Sequence, residues 1–197
     1  MSYSQLKTDI TSYMHRGDLE PLLDGFIARA EARIYREVRA LSMEATTQLT
    51  PTQGVSALPA DFLALREISY PVSASYQKLG SVGRGLITTY RGVTGNPLYY
   101  SIQGFDVEIA PAPDGSITFD VLYWKRFPPL SDADPENEFE TINPDLFLYA
   151  SLIEAATYVR DYDYLPTVVQ QYQEIMQKLN SDADTTRYGE APVIGVI

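Results

Sequence analysis

The sequence predicts an α+β protein: a helical bundle built from both ends of the chain, an inserted antiparallel β-rich region, and an extended C-terminal tail. Three observations carry this. Apolar residues recur at helical spacing only towards the two ends, over about 4–41 and 144–179. Between about 45 and 142 the apolar runs shorten, and Gly, Pro, Ser and Thr crowd between them. From 181 onward the periodicity stops. Residues 1–180 therefore read as one domain and 181–197 as a tail.

The elements follow in order. Residues 4–14 form a short helix with Leu6, Ile10, Tyr13 and Met14 on one side. His15-Arg16-Gly17-Asp18 breaks it, and Asp18 is placed to cap the next helix. That helix runs over 19–41, where Leu22, Leu23, Phe26, Ile27, Ala30, Ile34, Val38 and Leu41 follow the i, i+3, i+4, i+7 template. Pro21 falls in its first turn, where a missing N–H costs little. Strands are expected at 46–50, 65–70, 99–102, 107–109 and 117–124. Residues 86–90 fit either a strand or a helical turn. Gly104 and Pro113-Asp114-Gly115 supply turns that make 98–126 a three-stranded antiparallel meander. An acidic, Pro-containing loop fills 128–142. Asn143 then caps a helix over 144–160 with Pro144 at its first position, and a last helix covers 164–179.

The chain has 197 residues, with 15 Lys+Arg against 26 Asp+Glu and a formal charge of −11. No stretch approaches the roughly 20 apolar residues of a membrane helix. The start, MSYSQLKTDI, lacks the basic and apolar regions of a secretory signal. With no Cys and one His, thiolate zinc, iron–sulfur, Cys-nucleophile and multi-His metal chemistry are excluded. The sequence implies no cofactor. The charge is uneven: residues 1–128 hold 13 acids and 12 bases, residues 129–197 hold 13 acids and 3 bases. Such an acidic surface repels nucleic-acid phosphates. It reads either as a solubility device, or as a surface that passes DNA without gripping it or meets a basic partner.

Few segments carry site chemistry. Gly80-Ser81-Val82-Gly83-Arg84-Gly85 lacks the Gly-Lys-Ser/Thr ending of a P-loop and reverses the dinucleotide spacing, so it reads as a plain loop. Asp132, Asp134, Glu136, Glu138 and Glu140 are interrupted by Pro135 and lack the calcium-loop pattern. His15 reads as a surface residue at a helix break. Arg29, Arg33 and Arg36 form a basic stripe beside the apolar face of the long helix. They either pair with acids at helical spacing, Arg33 with Glu37, or meet an acidic surface on another copy. Fifteen tyrosines suit interfaces and half-buried strands alike. The tail ends in Tyr188-Gly189-Glu190-Ala191-Pro192-Val193-Ile194-Gly195-Val196-Ile197. Its β-branched residues fit strand addition to a neighbouring molecule, against the alternative that it folds back on its own domain.

Several short motifs have a recognisable order and spacing. They are Leu58-Pro59-x-Asp61-Phe62, Gly95-x-Pro97-x-Tyr99, Ile109-x-Pro111-x-Pro113-Asp114, Leu122-Tyr123-Trp124, and Pro144-Asp145-Leu146-Phe147-Leu148-Tyr149-Ala150-x-Leu152-x-x-Ala155-Ala156. In these the chain resembles the adaptor, or head-to-tail connector, proteins of tailed bacteriophages, related to the tail accessory factor beneath the portal. It departs from relatives that place Trp-Leu before the Pro-Asp helix, having Glu138-Phe139-Glu140-Thr141 there.

The resemblance implies a non-enzymatic virion protein at the head–tail junction, made in the host cytoplasm. It implies a homo-oligomeric ring, commonly of twelve copies, docked on the portal protein, meeting a tail or nozzle protein and extending the DNA channel. DNA passes without specific binding and no membrane is involved. Residues 1–180 become a connector domain. Tyr188, Pro192, Val193, Ile194, Val196 and Ile197 are the expected portal contact, and Arg29, Arg33 and Arg36 the expected subunit contact. The alternatives are a carboxylate-dependent hydrolase, such as a phage-borne wall-degrading enzyme, or another neck component, a stopper or tail terminator.

Overall fold

The computed structural model describes residues 2–188. In chain order its elements are α1 (Tyr3–Met14), α2 (Leu23–Glu37), β1 (Glu44–Leu49), β2 (Val55–Ala57), β3 (Phe62–Val72), β4 (Ser75–Lys78), β5 (Gly80–Ser81), α3 (Arg84–Ile87), β6 (Tyr99–Gln103), β7 (Asp106–Ala110), β8 (Phe119–Lys125), α4 (Glu138–Ile142), α5 (Pro144–Val159) and α6 (Leu165–Tyr188). This is the α+β class that the periodicity predicts. Two compact units result: Met1–Met43 with Phe127–Ile197, and Glu44–Arg126. The expected insertion at 45–142 is therefore divided, since 127–142 belongs with the helices.

In the helical unit α5 is the central element. Leu146, Phe147, Ala150, Leu152, Ala155 and Ala156 are buried around its circumference, and Ala and Ser positions let α1, α2 and α6 approach closely. On α2 the buried stripe is Leu23, Phe26, Ile27, Ala30 and Ile34. The helix expected over 19–41 is shorter. Gly17–Leu22 is a 3-10 segment containing Pro21, and the chain turns extended at Val38. Asp18 lies inside that segment and pairs with Arg16 instead of capping.

The acidic loop is folded back rather than free. Buried Glu31 of α2 accepts the Leu130 N–H at 2.9 Å, and burial pushes its carboxyl above the usual range. Asn137 accepts the Glu140 N–H at 2.7 Å and so caps α4, an element not foreseen. Asn143 makes no side-chain cap to α5; its amide donates to the Phe139 carbonyl at 3.1 Å. The last helix overruns its expected end at 179 and reaches Tyr188. Residues 181–188 are thus helical, where an extended tail was expected, and 189–197 lie outside the described residues.

In the β unit two four-stranded sheets, ordered β1-β8-β3-β4 and β2-β7-β6-β5, share one core. Ile68, Tyr70, Phe119, Val121 and Tyr123 come from the first, Val107 and Ile109 from the second. The meander is corrected. β6 and β7 pair across Gly104, but β8 leaves them for the other sheet, between β1 and β3. Glu44 at the start of β1 sits opposite Trp124 near the end of β8. Residues 86–90 are helical, shared between α3 and a 3-10 turn, and β2, β4 and β5 were not foreseen.

Residues of the resemblance motifs in this unit bond to one another and to Tyr70 of β3. Asp61 accepts the Tyr123 hydroxyl at 3.0 Å, and Phe62 stacks on Tyr123 with centroids 5.9 Å apart. Tyr70 donates to the Pro97 carbonyl at 3.1 Å, and the Gly95 N–H donates to Ala112 at 2.9 Å. Burial, then the Asp61 carboxylate, pushes the Tyr123 phenol from 10.0 up to about 12. The native state holds that proton more tightly, so this stabilisation is full below pH 10 and is lost as pH rises towards about 12. Tyr123→Phe is expected to flatten the alkaline fall in stability, read by urea unfolding across that window. An unchanged slope would rule out the coupling.

Candidate functional site

The stripe of three arginines is the natural place to look for contact chemistry. All three project from α2, and the structure separates their surroundings. Arg29 Nε donates to Glu154 Oε2 at 3.3 Å and Arg33 donates to Glu154 Oε1 at 2.8 Å, so one α5 carboxylate holds two α2 guanidiniums. The Glu154 bond holds Arg33 more firmly protonated than usual. The expected Arg33–Glu37 pair is present but long, at 3.9 Å. Arg36 is exposed, one turn from Arg33.

Glu37 is engaged elsewhere. It accepts the hydroxyl of Tyr172 of α6 at 2.9 Å, and burial with that bond drives the Tyr172 phenol upward. Asn180 ties down the end of α2: its amide donates to the Glu37 carbonyl at 3.1 Å and its oxygen accepts the Arg39 N–H at 2.8 Å. Arg33, Glu37, Ile153, Tyr172, Met176 and Asn180 border a groove of about 420 Å³ between α2 and α6. Beside it Tyr158, 58% exposed, tilts against Phe26 at 5.6 Å, and the Arg29 guanidinium covers the same ring at 5.3 Å.

This face is a network of charged and aromatic side chains on three helices, open to solvent at Arg29, Arg36 and Tyr158. Sequence reasoning found the arginines and missed Glu154, Tyr172 and Asn180. A signal for Glu154 existed, because it is the one charged residue between Leu146 and Val159 of an otherwise apolar helix.

Of the other expected contact residues, Tyr188 is the last residue of α6, and Pro192, Val193, Ile194, Val196 and Ile197 lie outside the described residues. His15 is exposed and ends α1 in a left-handed conformation. Gly83 opens the four-residue α3, so the Gly-rich stretch is a connection between β5 and that turn. Among the described residues no three His, Asp or Glu gather in a way that holds a metal ion, and no helix is long and apolar enough to cross a membrane.

A family model described as SU10 adaptor protein matches residues 1–195. The chain belongs to that family, and is a tailed-phage adaptor, a structural virion protein of the head–tail connection. No curated protein matches the sequence.

Proposed function

We propose that the chain assembles as a non-enzymatic ring of twelve copies that joins the portal protein to a tail or nozzle protein and continues the DNA channel. The observation that carries this is the family match over residues 1–195. In this reading residues 1–180 act as one connector domain. The distribution of charge supports a channel role. The helical unit holds 19 acids and 9 bases, whereas the β unit holds 7 and 6. A surface of that sign lets DNA pass without condensing on it.

Arg29, Arg33 and Arg36 are the proposed subunit contact, with the neighbour's acidic surface as their counterpart. Arg36 is the exposed end of the stripe, and Arg29 and Arg33 share Glu154 of α5 while keeping part of their surface open. Tyr188, Pro192, Val193, Ile194, Val196 and Ile197 are the proposed portal contact. Repetition of that contact around the ring supplies avidity from individually weak sites.

The test mixes the protein with the portal ring of the same phage and counts bound copies by native mass, with and without residues 189–197. Twelve bound copies that are lost on truncation support both parts of the reading. Binding that survives truncation moves the portal contact to the helical unit. No binding removes the proposal. Arg36→Glu is expected to cut the bound copies at least tenfold in the same assay while helix content stays unchanged.

A further inference from the structure

β3 is eleven residues long, and its two edges are covered unequally. β8 runs along one edge from Phe62 to Ser69, while β4 covers the other only from Ser69 to Val72. The second edge of 62–67 has no partner strand among the described residues. β6 is half covered in the same way. β7 pairs with all five of its residues, but β5 reaches only Tyr99 and Tyr100. The last rung there is the Val82 N–H donating to the Tyr100 carbonyl at 2.9 Å.

Both open edges line a single cleft of about 970 Å³ in the β unit, with Phe62, Leu63, Leu65, Val82 and Ile102 on its walls. Arg84 is the one charged residue in that lining. Open strand edges are templates for another chain. Two register shifts, at Phe62/Ala64 and Leu65/Glu67, bend β3. A bent edge suits a short separate strand better than a long flat sheet.

We propose that this cleft receives Pro192–Ile197 of a second copy as an added strand when no portal is present. The proposal rests on the reading of that segment as the chain's docking strand, and adds where it goes before the portal is met. Its length fits, since six extended residues span about 20 Å, the length of the open edge at 62–67. Its chemistry fits too: the six residues have no charged side chain, and Val193, Ile194, Val196 and Ile197 are β-branched. Pro192 stands at the first position, where a strand tolerates a missing N–H. Glu190, two residues earlier, supplies the charge that complements Arg84. Main-chain bonds give such a contact its affinity and the side-chain walls give it register.

The test is hydrogen exchange of the full-length protein at rising concentration without portal, with native mass measured in parallel. The expected result is a slowing of at least about tenfold in the amides of 63–67 and 102–104, appearing together with species heavier than one chain. An excess of a synthetic peptide with the sequence of residues 189–197 should return the mass to one chain while the cleft stays protected. Ile194→Asp should abolish protection and association together, and Leu63→Lys on the cleft wall should do the same. Protection independent of concentration means the chain's own segment occupies the cleft, and overturns the proposal. So does a cleft that stays unprotected, or association that ignores Ile194→Asp. If portal binding is intact while the cleft amides never slow, the portal reading stands and this one falls.

Discussion

Phe147→Ala will lower the unfolding free energy of the helical unit by about 3–5 kcal/mol. The side chain is fully buried on α5 and meets Phe139 edge-on, with centroids 5.9 Å apart and planes at 71°. Phe139 in turn stacks on Phe127 at 5.5 Å. The three rings fasten the 127–142 segment to the central helix, so their loss is felt beyond one cavity. Removing the ring takes away the transfer free energy of its carbons and leaves a void that Phe139, itself stacked on Phe127, cannot fill by a small shift. Denaturant unfolding followed by helix ellipticity checks it. A loss under about 1 kcal/mol would mean that the site collapses, and that the ring ladder is not a structural tie.

The second large effect belongs to Gly54→Ala, at about 3 kcal/mol in the β unit. Gly54 sits at φ +81°, a conformation that L side chains rarely adopt, and it is buried. A Cβ there would stand 2.7 Å from the Ile109 carbonyl oxygen. The Ile109 N–H also donates to the Gly54 carbonyl at 2.7 Å, so the backbone cannot back away without losing a bond that ties this turn to β7. Tryptophan fluorescence of Trp124, the single Trp, reports the β unit directly. Unfolding at an unchanged denaturant concentration would refute the steric argument.

What the sequence disclosed depended on whether a signal was local. The α5 helix was legible because Pro144 and the dense apolar run from Leu146 to Ala156 need no distant partner to be recognised. β6 and β7 were legible for the same reason, with Gly104 between them. The departure of β8 was not, because 119–124 pairs with Glu44–Leu49, 70 to 80 positions earlier in the chain, and no turn residue advertises that. The 3-10 start before α2 was hidden because Pro21 is equally at home in the first turn of an α-helix. The extra turns of α6 escaped because Ser181-Asp182-Ala183-Asp184 shows almost no apolar stripe; only Ala183 is buried. The site divided along the same line. Arg29, Arg33 and Arg36 announced themselves by spacing on one helix, whereas Glu154 lies over 120 positions away and is placed only by helix packing.

The pairing of Glu44 with Trp124 has a consequence for how the helices find one another. α2 and α5 are separated in sequence by more than 100 residues, and closing so long a flexible loop carries an entropic penalty that grows with its logarithm. Once β1 and β8 are hydrogen-bonded, the chain leaves the helical unit and returns to it through adjacent strands about 5 Å apart. The interruption of 106 residues then shortens to the roughly 27 residues of 38–44 and 124–143, a saving of about 1 kcal/mol in closure entropy. The β unit is also complete in the nascent chain before α5 exists. Its folding first, during synthesis, would present α2 with its partner at high local concentration as soon as α5 emerges.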